Sequence, residues 1–363
     1  MIKPMASICS LAGAASAGFT LIFALGACAA PKTLPVDHPS IEQSVMPRPA
    51  WFAFSDMTAS VTPCANPEYF EAEPKSLPGL LEGLPACAVV TLLPGHYAEM
   101  MPLELEGLTL RCKEPPLLDG GLNPQGCFLR TVMPVRIGSF IIEDMIFNGI
   151  ATNYGDHHDY GVALYIVEQA RISNNVFNGM YNHDISTKEN VGFTEIEDNV
   201  FINCERHCIE VGQNGNVASR PQQSGTMVVR RNRFITPALH AITQRTNSLL
   251  LIEDNSFQDV AARSIQNWPY WQHYDAGQGP EELILPQGPL RTIIRNNRFE
   301  GANRLQFEGR GITDDSVLIQ ANSGFFDCTR LPLTPSTAEA HQWVETSAPP
   351  QLDPQSDVAC PVE

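Results

Sequence analysis

Lys188, Glu210 and Arg245 follow short runs of one pattern, in Asp184-Ile185-Ser186-Thr187-Lys188, Cys208-Ile209-Glu210-Val211-Gly212 and Ala241-Ile242-Thr243-Gln244-Arg245. Cations beside carboxylates could carry out β-elimination or C5-epimerisation on an acidic glycan. A base removes the C5 proton of a uronate while Lys, Arg or a bound cation neutralises the sugar carboxylate. Lys188 and Arg245 suit the base and the neutralising group. Asp184 and Glu210 would be ligands for a cation, and Ca2+ is the one that prefers oxygen donors. The bland alternative for each is a solvated surface charge.

These side chains need strands to hold them. A second phrase recurs between the runs: Arg171-Ile172-Ser173-Asn174-Asn175-Val176-Phe177, Glu195 to Phe201, Val228 to Phe234, Leu251 to Phe257 and Ile293 to Phe299, with looser copies from Ile142 to Phe147 and Ile319 to Phe326. A unit this short cannot bury its own apolar face, so neighbours must stack into a solenoid. One coil then holds a first strand centred on Val162, Ile185, Ile209, Ile242 or Ile265, a second ending at the Asn, and a short third beginning near the Phe. The Asn suits a tight turn and an internal amide ladder, and the Phe side chains would stack likewise.

Side chains alternate across a strand. With Val162 and the Ile residues inward, the outward sets are Gly161, Ala163 and Tyr165; Asp184, Ser186 and Lys188; Cys208, Glu210 and Gly212; Ala241, Thr243 and Arg245; Ser264, Gln266 and Trp268. Coils stack about 4.8 Å apart and alternate residues lie about 6.7 Å apart. That brings Lys188, Glu210 and Arg245 within reach of one ligand and puts Asp184 roughly 8 Å from Glu210. This separation also allows inverting hydrolysis, which uses carboxyl groups about 6.5 to 9.5 Å apart.

The spacing of the ladder Asn residues marks insertions. Asn175 to Asn199 spans 24 residues, Asn232 to Asn255 23 and Asn297 to Asn322 25, whereas Asn199 to Asn232 takes 33 and Asn255 to Asn297 takes 42. Both excesses follow a first strand, at about residues 212–225 and 268–290, and insertions on one side of a solenoid often build its binding face. The longer one opens with Trp268-Pro269-Tyr270-Trp271. Trp268, Tyr270 and Trp271 could stack on sugar rings beside Gln266 and Tyr165, or fold down as a local mini-core.

The chain carries 23 Lys plus Arg against 40 Asp plus Glu, a formal net charge of -17. Nucleic acid, which needs a basic footprint, is therefore an unlikely partner by composition. Residues 1–27 read as an export signal, 28–50 as a Pro-rich tether, 51–328 as a solenoid with an N-terminal cap and 329–363 as a Pro-rich tail. Beyond Cys9 and Cys28 an even set of cysteines remains, which implies disulfides in an oxidising compartment. Sequence alone leaves the connectivity open. Pairing nearest neighbours gives Cys64 with Cys87, Cys112 with Cys127, Cys204 with Cys208, and Cys328 with Cys360.

The coil phrases and the opening segments from Ala88 to Gly121 resemble the right-handed parallel β-helix of the pectate-lyase-like superfamily, over about residues 85 to 328. The fold class implied is all-β, and the superfamily hosts several chemistries. Tyr154-Gly155-Asp156-His157-His158-Asp159 resembles the Tyr-Gly-x-Asp-Pro-His motif of mannuronan C5-epimerases, one residue shorter and without the Pro, which leaves His157 and His158 as rim residues for substrate. The Asn-Thr-Asp, Asp-Asp and Gly-His-Gly motifs of polygalacturonase-like hydrolases are missing. Leu25-Gly26-Ala27-Cys28 resembles a bacterial lipobox, which implies lipidation at Cys28 and, with Ala29 following, the outer membrane.

His183, His207 and His240 form a column continued by Arg263 and preceded by Tyr160. Alternation points it inward or to a turn, as an ordinary stacked ladder with Cys204 and Cys208 as a disulfide clip. A metal site is the other reading. The functional expectation is an outer-membrane-anchored β-helix lipoprotein that acts on polysaccharide as a lyase or epimerase. Its rival is a non-catalytic glycan-binding or scaffolding β-helix.

Overall fold

Strands of two to seven residues, with two longer ones that turn a corner, are too narrow to bury a face alone and are stacked in parallel one coil upon the next. The computed structural model describes residues 61, 63–97, 100–103, 107–117, 123–149, 160–189, 191–212, 225–244, 249–267, 291–301, 303–308, 317–324 and 326–331. A plain coil runs His183–Glu189, Phe193–Glu197, Val200–Ile202, and the next runs His207–Val211, Thr226–Arg230, Arg233–Ile235. Each strand pairs in parallel with its counterpart one coil on, as in Ile185 with Ile209, Ile196 with Val229 and Phe201 with Phe234. The fold is the parallel β-helix that the repeat implies. Among the described residues its strands form one sheet of 17 and one of 9, the larger being two columns joined by the long strands Val132–Glu143 and Tyr160–Ser173.

The turn between the second and third strands is built by two neighbouring residues with separate tasks. The residue before the ladder Asn takes a left-handed backbone, with φ of 56° at Asn174, 56° at Asp198, 55° at Arg231, 56° at Asp254, 55° at Asn296 and 49° at Ala321. Asn and Asp tolerate that region best, which explains most of these choices. The Asn itself is buried and links coils. The side-chain oxygen of Asn232 accepts from both the backbone N–H and the amide Nδ2 of Asn199, at 3.0 Å each, and Asn232 repeats this onto Asn255 at 2.9 and 3.0 Å. The pattern runs from Asn175 to Asn322, so buried amides that would be costly alone are satisfied in series.

Inside the coil Phe147, Phe177, Phe201, Phe234, Phe257 and Phe299 stack with ring centroids 4.6 to 5.0 Å apart. Each ring fills the space above the last, and the stack is the spine of a core shared by every described coil.

At the N-terminal end Glu68–Ala72 adds a rung beside Ala88–Leu92, and the short helix Leu77–Leu81 buries Leu77 while Leu80, Leu81 and Leu84 pack on the core. These residues cover the first rung, the role expected of a cap. Disulfides join Cys64 to Cys87, Cys112 to Cys127 and Cys204 to Cys208, as nearest-neighbour pairing expects. Cys328 is also disulfide-bonded, and Cys360 lies outside the described residues.

Candidate functional site

The three corners of the coil differ in their tolerance of extra chain. Between second and third strands the connection is tight from Glu143 onward, as in Glu197 to Val200, Arg230 to Arg233, Glu253 to Ser256 and Arg295 to Arg298, while the earlier Cys112 to Cys127 is long and closed by a disulfide. Between third and first strands it is short at Ile202 to His207, Ile235 to His240, Gln258 to Arg263 and Glu300 to Arg304, but long at Asn148 to Tyr160. Between first and second strands it varies widely: Glu189 to Phe193, Val211 to Thr226, Gln244 to Leu249, Asn267 to Arg291, Glu308 to Val317. From His183 onward every long connection between described strands leaves from that one corner, where loops can diversify without disturbing either ladder, whereas nearer the N-terminus the other two corners each carry one.

The outer surface of the second strands is a poor place for a charged ligand because its charges pair with each other. Glu197, Arg230, Glu253 and Arg295 occupy one register position on successive coils. Arg230 Nε donates to Glu197 at 3.0 Å and Arg295 Nε to Glu253 at 2.8 Å. Arg230 also contacts Glu195, whose carboxyl is pushed up by burial and by Glu197, and held down by Arg230 and Arg171.

On the first strands the outward row Ser186, Glu210, Thr243, Gln266 and Gln306 is continuous in register. Ser186, Glu210, Thr243 and Gln266 are expected from alternation to line an open groove, but these four and Gln306 are all buried. Ser186 Oγ donates to Glu210 Oε2 at 3.1 Å. The inward row is also polar near the variable corner. Asn267 Nδ2 donates to Thr292 Oγ1 at 2.9 Å, Thr292 Oγ1 donates to Gln244 Oε1 at 2.7 Å, and Thr187 Oγ1 accepts from Gly212 N–H at 2.7 Å. These bonds pin the points where the long connections depart.

Asp184 departs from expectation most sharply. Simple alternation makes it outward, together with Glu210, yet it is 0% exposed and its Oδ2 lies 2.7 Å from Cys204 Sγ in the core. Its row turns inward: Cys208 and Ala241 belong to the core, and a Cβ on Gly161 would meet the Phe177 ring at 2.9 Å. The cause is a break in the pairing. His183 pairs with His207 and Ile185 with Ile209, but the ladder skips the position between, and the same skip recurs at Ala241. Two successive side chains thus enter the core. Burial pushes the Asp184 carboxyl well above the usual carboxylate range. Asp184 therefore neither shares a groove with Glu210 nor serves as an exposed cation ligand, and the two carboxyl groups do not form a hydrolytic pair.

The same skip puts the histidine column on the outer side, contrary to the inward placement. His183 Nε2 lies 3.1 Å from Glu210 Oε2, and His207 Nδ1 lies 2.8 Å from Thr243 Oγ1. Tyr160, His183, His207 and His240 stack at 4.9 to 5.3 Å. One nitrogen from each of His183 and His207 and one Glu210 oxygen all lie within 4.8 Å of one another. The sequence signal for this was a residue pair three apart, His207 with Glu210 and His183 with Ser186, which strict alternation assigns to opposite faces.

Tyr165 is half-buried at the end of its first strand and pairs with Glu189 across a register shift. The strand His183–Glu189 contains Lys188 in its backbone, and that side chain lies outside the described set. Cys28, His157, His158, Arg245, Trp268, Tyr270 and Trp271 lie outside the described residues. Four of them, Arg245, Trp268, Tyr270 and Trp271, fall in connections at the variable corner by position in the chain.

No family model matches the chain, and no curated protein matches it. Among solved structures, one described as a PL6 family alginate lyase, AlyGC, aligns with a TM-score of 0.29 and 10% identity, covering 74% of this chain and 52% of that one. The chain thus spans about half the length of the lyase chain it aligns with.

Proposed function

We propose that the variable corner of the β-helix binds an acidic polysaccharide and that Lys188 and Arg245 there promote β-elimination or C5-epimerisation. The observation that supports the reading is that, from His183 onward, the long connections between described strands leave from the first-to-second-strand corner, above a buried polar network at their bases. A linear polymer laid along the coil axis would meet one rung about every 4.8 Å, so successive sugars could engage successive coils. Trp268, Tyr270 and Trp271 supply ring faces for stacking, and His157 and His158 supply the rim. Arg245 neutralises the uronate carboxylate while Lys188, in its neutral form, takes the C5 proton. In elimination the C4–O bond then breaks and the departing oxygen is protonated. In epimerisation a proton returns to C5 from the opposite face.

Because Asp184 lies in the core against Cys204 and Glu210 is engaged by His183 and Ser186, neither is assigned as a ligand for Ca2+ in this reading. Lipidation at Cys28 would hold the protein at the outer membrane, which intact-mass measurement of the membrane fraction and of Cys28→Ala would test.

The deciding experiment mixes the protein with oligouronates and with neutral glycans, and reads binding, ultraviolet absorbance of unsaturated uronate and NMR of C5 configuration. Binding that is weakened about tenfold in Lys188→Ala and Arg245→Ala, with new absorbance or inverted C5 in the wild type, supports the enzyme. Binding without either product supports the rival, a non-catalytic glycan-binding β-helix. Absence of binding to every glycan tried ends both for those sugars.

A further inference from the structure

We infer that His183, His207 and Glu210 form a site for a first-row divalent transition-metal ion, with Zn2+ the best fit. The inference stands apart from the glycan reading, since it uses none of the groups assigned to sugar. Three observations carry it. The three side chains are brought together by the coil itself: His183 and His207 are direct register partners on adjacent rungs, and Glu210 lies across from Ser186 on the same outer side. Their donor atoms already cluster within 4.8 Å, with His183 Nε2 and Glu210 Oε2 only 3.1 Å apart. Ligands on a tetrahedral ion with bonds of about 2.0–2.2 Å sit about 3.3 Å from one another, so His183 and Glu210 stand close to that spacing. The His207 nitrogen, within 4.8 Å of both, closes the set on coordination.

The third observation is the set of groups behind the ligands. Thr243 Oγ1 lies 2.8 Å from His207 Nδ1, and Ser186 Oγ donates to Glu210 Oε2. A ligating histidine commonly anchors its other ring nitrogen in this way, leaving Nε2 to face the ion. Two nitrogens and one oxygen suit Zn2+, Co2+ or Fe2+ far better than Ca2+, which takes oxygen ligands almost throughout. The neighbouring group of Asp184, Cys204 and Cys208 has comparable proximity, but its sulfurs are joined in a disulfide and are not thiolate ligands. Three protein ligands leave a fourth position for water or for Ser186 Oγ, the arrangement of a site that can do chemistry.

The rival is a plain His183–Glu210 contact within a stacked histidine ladder, in which His207 only stacks and binds no ion. The test strips the purified chain with chelator, dialyses it against Zn2+ or Co2+, and measures bound metal together with the visible absorption of Co2+. About one equivalent and a tetrahedral Co2+ spectrum are expected. His207→Gln should lose both, while its His183–Glu210 contact stays. Thr243→Val, which keeps all three ligands, should weaken metal binding by about tenfold or more, giving a readout if His207→Gln fails to fold. Failure of the wild type to retain metal, or equal retention by a folded His207→Gln or by Thr243→Val, overturns the inference.

Discussion

Asp184 and Glu210, on adjacent coils of one strand column, send their carboxyl groups to opposite sides of the sheet. Asp184 reaches Cys204 Sγ at 2.7 Å inside the core, while Glu210 meets His183 Nε2 at 3.1 Å outside it. The skipped pairing after each histidine separates them. Two acids that look equivalent by spacing therefore live in unrelated surroundings.

The burial of Asp184 makes stability depend on pH in a defined sense. Its folded-state pKa lies above the unfolded one, so the folded chain binds that proton more tightly. Its contribution is full below about pH 4 and is lost as pH rises through the raised folded value. Asp184→Asn, which cannot ionise, should match the wild type near pH 4 and exceed it in melting temperature near pH 8. Parallel melting curves for the two proteins at every pH would refute this.

Asn232 serves both directions of the amide ladder. Its oxygen accepts two bonds from Asn199, and its Nδ2 donates to Ile196 O at 2.9 Å and to Asn255 at 3.0 Å. Asn232→Ala leaves several buried groups without partners, at about 1–3 kcal/mol each, so a loss of roughly 3 kcal/mol or more is expected in urea unfolding. A loss below about 1 kcal/mol would mean that the ladder is decorative.

Phe201 sits in the middle of the ring stack, 5.0 Å from Phe177 and 4.8 Å from Phe234. Both neighbours are held by their own coils and can collapse little into a gap. Phe201→Ala should cost about 3–5 kcal/mol, and Phe201→Leu distinctly less. Equal effects of the two substitutions on the denaturation midpoint would argue against a rigid stack.

Ile166 turns the corner of the long strand Tyr160–Ser173 with φ of 52° while 38% exposed. A β-branched residue is strained there by about 1–2 kcal/mol, whereas Asn and Gly are at ease. Ile166→Asn should raise the stability by about 1 kcal/mol without touching the core. An unchanged or lower melting temperature would show that the apolar side chain is itself needed.

The coil was legible because its signals are local and repeated. The Asn spacing, the Phe at a fixed offset and the β-branched runs each follow from the period of one coil, and together they locate the ladders and the corner where the chain lengthens. The left-handed residue before each ladder Asn was legible at Asp198 and Asp254 by residue type, but not at Arg231 or Ala321, where the turn is imposed by neighbours on both sides.

The site was less legible, for a physical reason that Asp184 and His207 illustrate. The order of residues sets the coil's period, its parallel stacking and its ladders, because these depend on short spacings and on burying an apolar stripe in every coil; the disulfide pairing, left open by the sequence, is decided by the fold. It cannot set which side of a sheet a residue faces once strict alternation fails. That failure is a property of the pairing between coils, where a skipped rung turns Asp184 inward and leaves His183, His207 and Glu210 together. Only the folded stack brings about that change of side, because the skip exists between coils and in no single one of them.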